Sequence, residues 1–458
     1  MLKRKIYADL VEWKNRKHQC LVISGQRQVG KTFIVRQFAK TEYEHLLEIN
    51  LATMKEAQKI FEGDCSVDQL IMRLNVAFPN VPITPGRTLI FLDEIQDCDE
   101  AFSSLKQFTE DGRFDVIASG SLLGVRSPRR RKWARNQTEC PLVPMGYEEN
   151  LRMFGLDFEE FLWAKGIGSN IIDSIRECVK RLFPLDPQIL KALSSYYREY
   201  MIVGGMPESV SCFIEDRNFA RSRIVLANLR TDCLRDINRY NVGVDIVKTQ
   251  ECFESIPDQL AESNKKFMYS RIEDSQSRQA ADKYMENLLW IKGAGYGNFC
   301  YGLDAPTLPL KVRRSVFKVY LSDTGMLVNM YGDNCVKAIH SGDLGYNLGS
   351  ITENAVAEAL MKSGHEPRYF VEQKGEKRME LDFVLENGNG VVVIEVKSGK
   401  KRTAPSLNKV VRFYDIGTRI VLAEDNIRTD EEGIIHLPLF AACFLDELGP
   451  EWDGPKIR

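Results

Sequence analysis

Eight residues, Gly25-Gln26-Arg27-Gln28-Val29-Gly30-Lys31-Thr32, fit the spacing G-x4-G-K-[ST]. The glycines let the backbone curl so that successive N–H groups point inward at an anion, and a following helix N-terminus adds its dipole. In that geometry Lys31 contacts the β- and γ-phosphates of a nucleotide and the Thr32 hydroxyl binds magnesium. The expected cradle extends to Phe33, where helical spacing begins. A second element, Thr88 to Leu92, reads as a buried strand ending in Asp93-Glu94. An aspartate at a strand's C-terminal end can hold a magnesium shell, and a glutamate directly after it can polarise the attacking water. Asp115 to Gly120 adds another strand, with Ser119 and Ser121 at its end. Either serine can sense a γ-phosphate, although serines at strand ends are commonly turn residues.

A separate constellation lies near the C-terminus. Glu380-Leu381-Asp382-Phe383 is followed by Ile394-Glu395-Val396-Lys397, with Glu395 thirteen positions after Asp382. Two strands in a hairpin would set Asp382 and Glu395 side by side, where hard oxygens can share a divalent cation. Lys397 would emerge on the same face as Glu395, placed to orient a water or neutralise a developing phosphorane charge. Glu353 shares a helix face with Val356, Ala357 and Leu360, an odd place for a carboxylate with no partner. E-x-K alone carries little information; the D…ExK pair on a hairpin carries more. Lys400, Lys401 and Arg402 fit phosphate contact and fit a solvated loop equally.

These groups need rigid elements to position them. The first ~125 residues alternate between short apolar runs and helical stretches, which implies a parallel sheet covered on both faces. Tyr147 to Tyr240 is mostly helical with a break at Gly204-Gly205-Met206-Pro207, and helical pattern continues to about Leu289. Trp290 to Cys300 reads as a loop and wing, Phe317 to Leu321 as a strand and Asp323-Thr324-Gly325 as a turn. Beyond it, Ile351 to Lys362 reads as a helix, and Glu380 to Leu385 and Val391 to Val396 as strands joined by the turn Glu386 to Gly390. The pattern divides the chain into an α/β part over 1–145, a mostly helical part over 146–245, a mixed part over 246–335 and a second α/β part over 336–458.

Bulk properties set limits on function. At 458 residues the chain is too long for one small core, and 44% hydrophobic with 28% charged residues is a globular composition. A net charge of -2 leaves any nucleic-acid contact to a local basic patch. Eleven scattered cysteines without a CxxC pair and five dispersed histidines argue against a disulfide scaffold and structural zinc. No uncharged apolar stretch reaches the roughly 20 residues of a bilayer span, and the charged N-terminus lacks a signal-peptide core, so a cytoplasmic location is expected.

Together, GQRQVGKT, INLAT, LIFLDEIQ, DVIASGSLLGV, PMGYEE with FEEFLWAKG, YMIVGGMPE and KVYLSDTG make the chain similar to bacterial and archaeal AAA+-type P-loop ATPases that carry a C-terminal domain of unknown function. The resemblance covers nearly the whole chain, and the combination of SGSLLG with VGGMPE is its most specific part. It implies ATP and Mg2+ as cofactors, hydrolysis of ATP, a helical lid, a winged-helix-like middle and a nuclease-like end. The order of Glu353, Asp382, Glu395 and Lys397 resembles the restriction-endonuclease-like, PD-(D/E)XK superfamily, which implies a second Mg2+ or Mn2+ and DNA as a partner. The resemblance hints at a homo-oligomer but places no arginine finger; candidates lie in Arg126 to Arg135, where a solvated loop or a DNA phosphate contact are the other readings. Three functions follow as expectations: an ATPase coupled to a DNA-directed nuclease, a nucleotide switch read by a protein partner, and a DNA-binding ATPase without cleavage.

Overall fold

The computed structural model describes residues 2–121, 146–272, 279–342, 348–373, 375–388, 390–399 and 404–448. Five parallel strands form the N-terminal sheet: β1 (Cys20–Ser24), β2 (His45–Asn50), β3 (Thr88–Asp93), β4 (Asp115–Gly120) and β5 (Glu148–Arg152), in the order β2-β3-β4-β1-β5. Every residue of β3 is buried, as expected for a central strand covered on both faces. The alternation is direct: Leu21, Ile23, Leu89, Phe91 and Ile117 join one core, while Cys20, Val22, Ile90, Leu92, Val116 and Ala118 join the other. Helix α1 (Ile6–Lys14) and helix α2 (Lys31–Glu42) pack on the first of these faces, α2 through Ile34, Val35, Phe38 and Ala39.

A helical region follows, containing α3 (Phe158–Ala164), α4 (Pro187–Val203), α5 (Pro207–Asp216) and α6 (Phe219–Tyr240). The break at Gly204-Gly205 falls where the sequence put it, between α4 and α5. The stretch Asp323-Thr324-Gly325, read as a turn, opens a helix instead: Asp323 Oδ1 accepts the Met326 N–H at 2.9 Å as the N-cap of α7 (Thr324–Tyr331).

The second sheet has eight strands: β6 (Gly297–Leu303), β7 (Val312–Leu321), β8 (Arg368–Glu372), β9 (Met379–Asn387), β10 (Gly390–Val396), β11 (Thr418–Ala423), β12 (Arg428–Thr429) and β13 (Ile435–Pro438), ordered β12-β13-β11-β10-β9-β8-β6-β7. The antiparallel β9–β10 pair matches the expected hairpin. β6 pairs in parallel with β8 at Tyr301 and Gly302, so the β6–β7 hairpin and the strands after residue 335 share one sheet. Helix α8 (Gly349–Lys362) covers one face of this sheet and helix α9 (Pro405–Val410) the other. The core on the α8 side is continuous with that around α1 and α2, running from Ile6 to Phe444.

Candidate functional site

The loop between β1 and α2 is shaped by residues that accept unusual backbone angles. Gly25 has φ 151°, and a Cβ there would meet the Met153 carbonyl oxygen at 2.1 Å, so glycine alone fits. Gln28 (φ 63°) and Gly30 (φ 98°) are also left-handed, which turns the loop into the first turn of α2. Lys31 is 7% exposed and folds over the loop: its Nζ donates to the Gly25 and Gln26 carbonyls at 2.8 and 2.9 Å and to Ser121 Oγ at 3.1 Å. Burial pushes its pKa down to about 8, against the pull of Glu94 and Asp93.

Because β4 lies between β1 and β3, the end of β3 stands across from the loop. Thr32 Oγ1 donates to Asp93 Oδ2 at 3.1 Å. Ser119, at the end of β4, donates to Asp93 Oδ1, so the two serines divide between the strand-end acid and the lysine. Asn50 also donates to Asp93 Oδ2 at 3.1 Å. Sequence reading missed Asn50; parallel pairing of β2 with β3 puts the two residues in register. Glu94 sits at φ 54°, a left-handed position that turns it off the strand, and its Oε2 accepts from Gln96.

The remaining loop side chains point away from this centre and tie it to the rest of the molecule. Gln26 Oε1 accepts from Ser322 Oγ at 3.0 Å, Arg27 pairs with Asp236 at 2.9 Å, and Gln28 donates to Asp232 at 2.9 Å. Asp236 also accepts from the Tyr296 hydroxyl at 2.6 Å, immediately before β6. Buried Arg4 donates to the Val29 carbonyl at 3.0 Å and pairs with Glu160 at 3.2 Å. Phe33 is 54% exposed. Ser322 and Glu160 lie in the stretches KVYLSDTG and FEEFLWAKG, but their contacts around the loop become visible only once the helical region and β6–β7 close around it.

At the C-terminal sheet, Glu353 is buried on α8, and burial would raise its pKa, but Lys318 and Lys265 hold it below the usual range. Its Oε1 accepts from Lys265 Nζ, its Oε2 accepts from the Tyr320 hydroxyl at 3.0 Å, and Lys318 Nζ lies 3.6 Å from Oε2. Asp382 Oδ2 accepts the Val396 N–H at 2.8 Å; burial and the charge of Glu353 push its carboxyl up to about 7. Glu395 pairs through Oε1 with Lys397, while its Oε2 is buried without a hydrogen-bond partner. Strand alternation is broken near Asp382: Phe370 pairs with Leu381 but Arg368 with Val384, leaving one extra residue on β9. Val391 and Val393 pack on the α9 side and Val392, Ile394 and Val396 on the α8 side, so alternation puts Glu395 on the α9 side, whereas Asp382 lies within the field of Glu353. Among the described residues no group of three or more His, Cys, Asp or Glu side chains is arranged to hold a metal ion. The basic stretch Arg126 to Arg135 and the run Lys400 to Arg402 lie outside the described residues.

Residues 17–162 match the family model described as an AAA domain. Residues 194–335 and 348–440 match two domains of unknown function, DUF8612 and DUF4143. No curated protein matches the chain. Among solved structures, a Walker-type ATPase of Pyrococcus abyssi is 12% identical, with 72% of this chain and 96% of that chain covered at a TM-score of 0.43. A Signal Transduction ATPase with Numerous Domains from Pyrococcus horikoshii, with a tetratricopeptide repeat sensor, is 11% identical, with 79% and 45% covered at a TM-score of 0.28. The RuvB Holliday junction branch migration motor of Thermotoga maritima is 12% identical, with 68% and 89% covered at a TM-score of 0.26. At these scores the three likenesses carry no argument about function. What the loop geometry, the strand order and the matched family support together is a P-loop ATPase domain of the AAA kind over residues 17–162, followed by two segments similar to domains of unknown function.

Proposed function

We propose that this chain binds ATP with magnesium, hydrolyses it between the β1–α2 loop and the end of β3, and passes the nucleotide state to its lid and C-terminal sheet. One contact carries the reading: the Thr32 hydroxyl on Asp93 across the gap from loop to strand end, with Lys31 and Ser121 beside it. Thr32 and Asp93 offer hard oxygens suited to magnesium, which when bound neutralises charge on the β- and γ-phosphate oxygens. Lys31 would leave the loop carbonyls for the phosphates, the loop N–H groups would cradle them, and Glu94 would orient the attacking water. Ser119, through Asp93, would register the γ-phosphate. No DNA cleavage is assigned to the C-terminal part, where no group of three or more His, Cys, Asp or Glu side chains among the described residues is arranged to hold a metal ion. A noncutting switch is the reading retained for the C-terminal part.

ATP binding and turnover by the full chain test the proposal. Lys31→Ala is expected to lose binding of Mg·ATP, whereas Glu94→Gln keeps binding and loses turnover by ~10²-fold or more. Wild-type protein that does not bind ATP in the presence of magnesium would end the reading. Equal turnover by Glu94→Gln and wild type would remove Glu94 from it.

A further inference from the structure

The β1–α2 loop carries a second cation besides Lys31. Arg27 stands two residues after Gly25, in the stretch whose N–H groups surround the phosphates in the proposed site. It points out of the loop, and its Nη1 lies 2.9 Å from Asp236 Oδ1. Asp236 is buried and is fixed in turn by the Tyr296 hydroxyl, which donates to Oδ2 at 2.6 Å. One end of the guanidinium is therefore committed. Its Nε–H, in contrast, is buried without a hydrogen-bond partner among the described residues. Buried donors are nearly always paired, so a loop arginine with an unused N–H calls for a ligand.

Helix α6 sets where that group stands. Asp232, Asp236 and Arg239, spaced i, i+4 and i+7, share one face of it. Asp232 accepts from Gln28 at 2.9 Å, Asp236 holds Arg27, and Arg239 lies 3.9 Å from Asp97 in the turn after β3. The helix thus bridges the loop and the end of β3, across the same gap that Thr32 and Asp93 span. Arg27 is in electrostatic reach of that gap: burial opposes its charge, but Asp236, Tyr240 and Glu94 outweigh it. A planar guanidinium with an unused edge can bind two oxygens of one phosphate, which an ammonium cannot do in the same geometry.

Resting on the ATPase reading, we propose that Arg27 is a catalytic residue carried by the loop itself: Asp236 keeps hold of Nη1, and the free edge meets the γ-phosphate oxygens of ATP. Asp236 is then its positioning residue. In the step, the water oxygen bonds to the γ-phosphorus as the bond from that phosphorus to the β–γ bridging oxygen breaks. ADP departs with the electron pair, and the water's proton passes by way of Glu94 to the products. Arg27 opposes the negative charge that gathers on the γ-phosphate and departing oxygens. The cation is supplied within one chain, with no second copy required.

The test uses the full chain with Mg·ADP, and with Mg·ADP plus aluminium fluoride as a mimic of the transferring phosphoryl group, by calorimetry beside ATP turnover. Wild type is expected to bind ADP more tightly with aluminium fluoride than without it. Arg27→Ala should keep its affinity for ADP within about twofold, lose that gain, and lose turnover by about 10³-fold. Arg27→Lys separates phosphate binding from a merely structural pair, because an ammonium can still pair with Asp236 but offers no second edge. It should hold the wild-type Tm and lose most of the turnover. A lysine variant as active as wild type would assign Arg27 to the ion pair alone and overturn the proposal. So would Arg27→Ala with wild-type turnover or with the aluminium fluoride gain intact. Mixed with Lys31→Ala protein, Arg27→Ala should stay inactive; turnover restored by mixing would place the cation across two copies and overturn it as well. Should Arg27→Ala not fold, Arg27→Lys decides on the same readouts. Wild-type protein that binds no nucleotide would end the ATPase reading itself, a failure seen before any substitution is made.

Discussion

Lys31 is held by two loop carbonyls and a serine, with burial pushing its pKa down to about 8. A bound polyphosphate would favour the charged form and raise that pKa, so the sign of the pH dependence follows. Below about pH 8 the lysine is already protonated and affinity for ATP should be flat with respect to this group. Above it, binding must take up a proton, and affinity should fall by up to about tenfold per pH unit until the bound-state pKa is reached. Titration calorimetry in buffers of different ionisation enthalpy would detect that proton uptake; its absence above pH 8 would mean that burial does not discharge Lys31 in the free protein. The glycines, lysine, threonine and paired acids of this centre were legible because their roles are local to a loop and a strand end. Asn50 was not, since its contact with Asp93 exists only through the pairing of β2 with β3.

At the scale of elements, the least forgiving place is where the α4–α5 break meets the start of α7. Asp323 Oδ2 accepts the Gly205 N–H at 2.7 Å, and Gly325 packs so closely that a Cβ on it would lie 2.4 Å from the Gly204 N. Glu358 on α8 closes the junction by accepting from the Thr324 N–H at 2.8 Å and from Lys362 at 2.5 Å. Gly204 itself is at φ 73°, with Asp323 Oδ1 standing 2.2 Å from where a Cβ would be. Gly204→Ala combines backbone strain with overlap on a buried carboxylate, and a loss of about 3 kcal/mol or more is expected in urea unfolding. A loss under about 1 kcal/mol would mean the junction yields easily. The sequence marked both VGGMPE and SDTG without disclosing that they touch, because 118 positions separate Gly205 from Asp323. The pairing of β6 was not legible for the same reason: its parallel partner β8 lies more than sixty positions downstream.

For the whole molecule, the side chains of the β1–α2 loop matter as much as its backbone. Gln26 reaches Ser322 past the end of β7, and Arg27 reaches Asp236, which Tyr296 holds from just before β6. A change in the loop on nucleotide binding should therefore be felt at one end of the eight-stranded sheet. Hydrogen exchange is expected to slow around 295–299 and 321–324 when Mg·ATP is added, and Gln26→Ala should weaken the effect near Ser322 while preserving nucleotide binding. Protection confined to the ATPase sheet would refute such coupling. The parallel N-terminal sheet was read correctly from strand and helix alternation; the union of the two halves was not, because no periodicity encodes which apolar faces meet. Phe440, near the C-terminus, packs on Phe158 and Tyr197 with ring centroids 6.0 and 6.5 Å away. A fragment that stops short of Phe440 would leave those rings facing water. Truncations would then report on solubility before they reported on catalysis, and the division of labour along this polypeptide is better probed by single substitutions than by scissors.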